Sequence, residues 1–271
     1  MPMVAGLEVA GRLCATLLIF LLVYSPSQSW LALAISAFAS IVVTTIQMGL
    51  MYHEAKFKFP SVNGAVCILR QNISIFVYRI AGSLYTTANI IIVGLLSSPV
   101  VVGFYGGAEK IIRGILTLIS PVINALYPRI NYLMLNEPAK AWRIIRFTLS
   151  VFVVGGVFVA GAVAVYAQTW VRLLLGPGYE AAIPILQILS IEACVLPLST
   201  VISVLYMLPL KMGKQLNAIV ISAGLLNATM AIIFVGFWQG VGMAITAVTI
   251  ETLIALGSAL ILFRCGMPLG E

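Results

Sequence analysis

No aspartate occurs in this 271-residue sequence, histidine occurs once, and charged residues make up only 8% of the chain. Acid–base and metal chemistry are therefore short of raw material. HExxH, GxSxG and phosphate-loop motifs are missing, as is GxGxxG after a strand, and no two carboxylates stand at catalytic spacing. No enzymatic activity is expected, and with it no catalytic residue, metal or cofactor. The single histidine, His53, abuts Glu54 at the end of an apolar run and reads as an interfacial residue. Four cysteines, Cys14, Cys67, Cys194 and Cys265, have no metal-ligand spacing and read as small apolar residues. A large extramembrane loop is also lacking, which removes the usual form of an envelope polymerase or ligase.

What the sequence does have is hydrophobicity. Apolar residues make up 62% and mean hydropathy is +1.12, against roughly 45–50% apolar in soluble domains. Runs of the ~20 residues needed to cross ~30 Å of hydrocarbon recur throughout. The expected spans are 4–24, 30–52, 73–96, 100–127, 147–171, 182–208, 215–237 and 241–263, which defines an all-α polytopic membrane protein of about eight helices. Arg12 ahead of Leu13–Val23 imitates a signal peptide, but Glu8 lies upstream and no small-x-small cleavage site follows Tyr24.

Lysine and arginine gather in alternate connections: Lys56, Lys58 and Arg70; Arg129, Lys140, Arg143 and Arg146; Lys211 and Lys214; and Arg264. By the positive-inside rule these are cytoplasmic, which puts both ends of the chain inside. Topology accounts for most of the net charge of +7, so no nucleic-acid partner is implied. The longest connections expected are cytoplasmic, at 53–72 and 128–146.

Three charges interrupt the fourth span, in "GFYGGAEKIIRG". At 100° per residue with Glu109 at zero, Arg113 falls at ~40° and Lys110 at ~100°. Gly106, Thr117, Ser120, Asn124 and Tyr127 fall within the same arc, which forms a polar stripe more than ~30 Å long. Such a stripe must face protein or a wet cavity, because each charge costs roughly 2.5–3.5 kcal/mol at the bilayer centre. Span three shows Asn72, Arg79, Ser83 and Thr86 on one arc and Ser74, Tyr78, Tyr85 and Asn89 on another. Span six aligns Glu192, Ser199, Ser203 and Tyr206, and Glu251 stands in span eight. Arg79, Lys110, Arg113, Ser83, Thr117 and Asn124 are the candidate substrate-cavity residues. Glu109, Glu192 and Glu251 are candidates for proton uptake or for ion pairs that lock the helices. Pro121, Pro128 and Pro197 remove backbone donors and either bend helices for transport or are tolerated kinks.

The stretch "VGFYGGAEKIIRGILTLISPVINALYPRI", residues 102–130, resembles the oligosaccharide flippases, the polysaccharide-transport branch of the multidrug and oligosaccharidyl-lipid exporter superfamily. "LLLGPGYEAAIPILQILS", residues 173–190, resembles the segment between that family's ninth and tenth helices. The family's YxxAxK pattern falls on Tyr105, Ala108 and Lys110, and its YPR on Tyr127, Pro128 and Arg129. The resemblance implies translocation of a polyprenyl-pyrophosphate-linked oligosaccharide, such as an O-antigen or capsule repeat unit, across a bacterial inner membrane, alongside polysaccharide polymerase machinery. It also implies a twelve-helix, two-lobe fold. This chain would begin at the fifth helix, with 1–52 the last two helices of the first lobe, 53–72 a cytoplasmic connection and 73–271 the six-helix second lobe. It would thus be truncated at its N-terminus. A cation-coupled multidrug exporter and a non-functional remnant are the alternative readings.

Overall fold

The computed structural model describes residues 2–23, 28–54 and 61–264. Every regular element among them is helical. The helices are α1 (Pro2–Leu22), α2 (Ser29–Glu54), α3 (Val62–Leu96), α4 (Pro99–Leu116), α5 (Ile119–Asn136), α6 (Pro138–Val165), α7 (Ala167–Leu174), α8 (Ala182–Leu189), α9 (Glu192–Thr200) and α10 (Gly213–Arg264), with a π-helical turn, Val201–Met207, after α9. Six of these stretches are long and apolar enough to cross a membrane. The backbone of α10 leaves helical geometry at Gln239, with φ 50° and ψ −126°. Its 52 residues would reach ~78 Å if straight, far beyond one ~30 Å crossing. Turned at Gln239, α10 is two spans; with the shorter apolar stretch Ala10–Leu22, the expected eight are all present as apolar helix.

Two compact units divide the chain, Met1–Ile68 and Leu69–Glu271. In the first, α1 lies along α2. Gly11 permits the approach, because a β-carbon there would run into the Val43 side chain.

In the second unit α4 packs on α8, α6 on α9, and α10 on both α8 and α9. Tyr105, Ala108 and Ile112 of α4 form one apolar core with Ile185, Leu186 and Leu189 of α8 and Met243 of α10. A second core gathers Ile123, Ile130, Ile145, Leu205, Met207 and Leu216. The outward surface is apolar as well, with Leu95, Leu135, Phe158, Phe237 and Phe263 all at least 75% exposed. That pattern suits a lipid surround, where an exposed apolar side chain costs nothing.

The connections differ from expectation. The segment 53–72 was expected as a loop, yet helix resumes at Val62. The segment 128–146 is helical except at Glu137, whose φ of −144° and ψ of 70° turn the chain between α5 and α6. Glu137 also pairs with Lys140, and Pro138 occupies the first turn of α6, where its missing N–H is harmless. Among the described residues, Arg70, Arg129, Lys140, Arg143, Arg146, Lys214 and Arg264 thus lie in helix, whereas Lys211 lies in the turn before α10.

Within spans, the prolines explain two irregularities. Pro121 cannot donate to the Thr117 carbonyl, and the α-helical hydrogen-bond pattern lapses at Thr117 and Leu118 although their dihedrals stay helical; Leu118 N–H reaches back only to Ile115 O at 3.2 Å. Pro197 lies inside α9, and the helix then relaxes to π geometry, with Leu208 N–H donating to Ser203 O. Pro128 interrupts nothing in α5. The expected span 147–171 ends early, at Val165, and α7 follows as a short amphipathic helix with Ala167 and Val171 buried.

Candidate functional site

The second unit brings the two halves of the sequence pattern together. The loop after α7 turns at Gly176 and Gly178, whose φ of 85° and 90° a side chain would disfavour. It docks on the start of α4. Tyr179 meets Phe104 edge-on at a centroid distance of 5.6 Å, and the Leu175 side chain fills the space where Gly107 lacks a β-carbon. "GFYGG" and "GPGY" are therefore neighbours in space as well as features of one pattern.

Below this contact the interior holds a charge cluster. Glu109 and Arg113, one turn apart on α4, approach to 3.6 Å. Glu109, Glu192 and Glu251 are all buried, at 8%, 2% and 6% exposure. Arg113, Glu251 and Glu109 act electrostatically on Glu192, which heads α9. Three carboxylates, from α4, α9 and the second arm of α10, thus gather around Glu192, with one guanidinium among them. Glu192 keeps one oxygen, Oε2, buried with no hydrogen-bond partner.

A neutral network adjoins the cluster. Tyr105, at 1% exposure, interacts with the Asn89 side chain and feels Glu109, Glu192 and Arg113. Asn227 on the first arm of α10 donates from Nδ2 to Asn89 Oδ1 at 2.8 Å. Asn89 lay on one of the span-three arcs, whereas Asn227 escaped the sequence reading. An amide at mid-span, among mostly apolar neighbours, was its only signal, and burial without a partner costs enough to make that signal informative. Replacing Asn227 with leucine is expected to cost about 1–3 kcal/mol by taking the Asn227 donor from the buried Asn89 Oδ1. Thermal unfolding in detergent reads this; an unchanged midpoint would show that the bond contributes nothing.

The remaining candidates divide. Lys110, Ser83, Thr117 and Asn124 are exposed. Thr117 donates to the Arg113 carbonyl at 2.7 Å, so its hydroxyl hydrogen is used within the helix. The polar stripe is therefore two-sided, with Glu109 turned inward and Lys110, Thr117, Ser120 and Asn124 along an open edge. Asn124 also lines a cavity of about 300 Å³ with Tyr78, Ser120, Tyr127 and Thr200, beside the break between α4 and α5 and against Val204 of the π turn. The Arg79 side chain lies outside the described residues. Of the span-six arc, Glu192, Ser199, Ser203 and Tyr206 are all buried, and Tyr206 stacks on Trp142 at 4.5 Å. Cys14 and Cys194 are free thiols, and among the described residues no cluster of His, Cys, Asp or Glu could hold a metal ion.

Comparison with known proteins gives three results. The family model described as "Polysaccharide biosynthesis protein" matches residues 1–134. A protein named "Putative O-antigen transporter" from Escherichia coli (strain K12) is 29% identical over 250 residues, 91% of this chain and 60% of the relative. One of the same name from Shigella dysenteriae is 24% identical over 254 residues, 91% of this chain and 62% of the relative. No solved structure matches. The chain spans about three fifths of the length of the curated relatives it matches. With its run of apolar helices, the chain is a multi-pass membrane protein, similar over residues 1–134 to the polysaccharide biosynthesis family and over nine tenths of its length to two proteins named as O-antigen transporters.

Proposed function

We propose that this chain takes part in translocating a polyprenyl-pyrophosphate-linked oligosaccharide, an O-antigen or capsule repeat unit, across the bacterial inner membrane. In this reading it acts as a transporter and catalyses no covalent step. The observation that carries the proposal is the two-sided polar stripe of α4 and α5. Its open edge presents Lys110 and a row of hydroxyl and amide groups, while Glu109 and Arg113 hold its inner edge to α9 and α10 through the charge cluster. A pyrophosphate and sugars call for cations and hydrogen-bonding groups on a wet path, and a prenyl tail can stay in lipid. Lys110 and Arg79 then meet the anionic head; Ser83, Thr117 and Asn124 meet sugar hydroxyls. Residues 1–52 belong to a first lobe, 73–271 form the second, and basic helix ends face the cytoplasm. The polysaccharide polymerase machinery is the expected downstream partner.

The test is genetic. The gene is expressed with its own glycan-assembly genes in a strain lacking its native flippase, and surface polysaccharide is measured. Lys110→Ala is expected to reduce export several-fold at equal protein level, in line with loss of a charge-assisted contact. Unchanged export by both Lys110→Ala and Arg79→Ala would remove the anionic-head reading. Restored resistance to cationic drugs in place of polysaccharide would favour a multidrug exporter.

A further inference from the structure

Two helix irregularities of the second unit stand at one level. Along α4 and α5, Leu116 is the last buried residue of the first core and Ile123 the first of the second, and the hydrogen-bond pattern lapses between them. Along α9, Ala193 belongs to the first core and Val201 to the second, and the π turn starts at Val201. The boundary between the cores thus coincides with both breaks. The α6 helix, with Val163 in the first core and Ile145 in the second, crosses this level as unbroken helix, and so do both arms of α10. Gln239 lies away from the boundary, between Val235 and Met243 of the first core.

Both breaks are weakly bonded. Pro121 leaves the Thr117 carbonyl without its helical donor. In the π turn Leu208 N–H donates to Ser203 O at 3.2 Å, and just beyond it Met212 N–H donates to Met207 O at 3.0 Å, each five residues back in place of the α-helical four. The chain leaves this segment through Lys211 at φ 59°, a left-handed conformation that residues with a side chain seldom adopt. Irregular backbone at membrane depth persists where protein or a cavity surrounds it, and a cavity of about 300 Å³ lies between the two breaks. Leu116, Ile119 and Ile123 line it from one, and Leu196, Thr200 and Val204 from the other. Weak bonds and room to move therefore meet. On the first-core side the ends are held, since Arg113 in the last turn of α4 pairs with Glu109 and feels Glu192 at the head of α9. On the other side, α5 and the π turn pack on each other.

We propose that the second unit contains an internal hinge at this level. The α5 helix and the π turn swing as a pair into the cavity, against α6 and α10, while the charge cluster keeps α4 and the head of α9 in place. The π turn accommodates the swing by exchange, because Leu208 N–H can pass from Ser203 O to Val204 O and remain bonded. The hinge does not depend on which substrate the chain carries.

Distances between spin labels test it. Leu135→Cys and Phe263→Cys, made in a chain whose four native cysteines are replaced by alanine, place nitroxides at the far ends of α5 and α10. Both positions are at least 75% exposed. A kink of ~20° carried along the ~27 Å of α5 moves its end by ~9 Å, so double electron–electron resonance in lipid nanodiscs is expected to show two distances about that far apart. Labels at Phe147 on α6 and Phe263 on α10 should show one. Pro121→Ala returns a donor to the Thr117 carbonyl and Thr200→Phe fills the cavity; either should leave the α5 pair with a single distance. The α6 and α10 pair, measured in the same variants, reports that the fold is intact. One narrow α5 distance in the chain that keeps Pro121 and Thr200 overturns the hinge. Two distances that persist in Pro121→Ala overturn it as well, and so does an α6 and α10 pair as broad as the α5 pair. A chain that shows the hinge yet supports no polysaccharide export refutes the flippase reading and leaves the hinge standing.

Discussion

Arg113→Ala is expected to destabilise the second unit by about 3 kcal/mol, the lower end of the ~3–5 kcal/mol range for breaking a buried ion pair. The cost comes from what remains. Glu109 loses its partner at 3.6 Å, and Glu192 loses the cation that favours its charge while Glu251 and Glu109 still oppose it. Arg113 keeps 35% of its side chain exposed, so water recovers part of the loss and the lower end applies. Glu109→Gln should cost less, because it relieves repulsion on Glu192 as it breaks the pair. Combining it with Arg113→Ala should recover part of the single-mutant loss. Thermal unfolding in detergent, read by tryptophan fluorescence or by aggregation, measures all three variants. A double mutant no more stable than Arg113→Ala would show that Glu109 is not the partner whose isolation costs stability, and an Arg113→Ala chain as stable as the unaltered one would show that the guanidinium does not hold the helices together.

The spans were legible because lipid makes length and apolarity nearly sufficient, and the stripe on α4 because charge in a span has few destinations. The wheel placed Glu109 and Arg113 on one arc, and the structure pairs them. It placed Glu192 with Ser199, Ser203 and Tyr206, and all four are buried. Hidden from the sequence was the fact that three helices, far apart in the chain, bring buried carboxylates within electrostatic reach of Glu192, beside the Glu109–Arg113 pair, since a wheel describes one helix at a time. Periodicity also concealed the lapse at Thr117 and the π turn, because the cause in each case is a proline one turn earlier or later. The polar connections at 53–72 and 128–146 misled for a simpler reason: low hydropathy reports exit from hydrocarbon, and helices continue past it.

Gly156→Leu is expected to prevent stable folding of the second unit. A β-carbon at this position would lie 2.6 Å from the Ala193 carbonyl oxygen and 2.8 Å from the Cys194 α-carbon. Both obstacles are backbone, so no rotamer change relieves them. Small residues at helix crossings let backbones approach when lipid supplies no hydrophobic drive for association, and α6 uses this one to close on α9. Overpacking by a few atoms typically costs ~1–3 kcal/mol, and the whole margin of a domain is only about 5–15 kcal/mol. A leucine forced against backbone exceeds that typical cost, because α6 and α9 must separate instead of repacking, and the displaced turn carries Glu192, whose burial depends on where α9 begins. Gly156→Ala should show the same effect more weakly, with a lowered unfolding midpoint and retained expression. Gly155→Leu is the control, since a β-carbon there meets nothing within 4 Å. Detergent-extracted yield and unfolding midpoint separate the three. If Gly155→Leu and Gly156→Leu behaved alike, the close approach of α6 to α9 would not be what seats Glu192 beside Arg113.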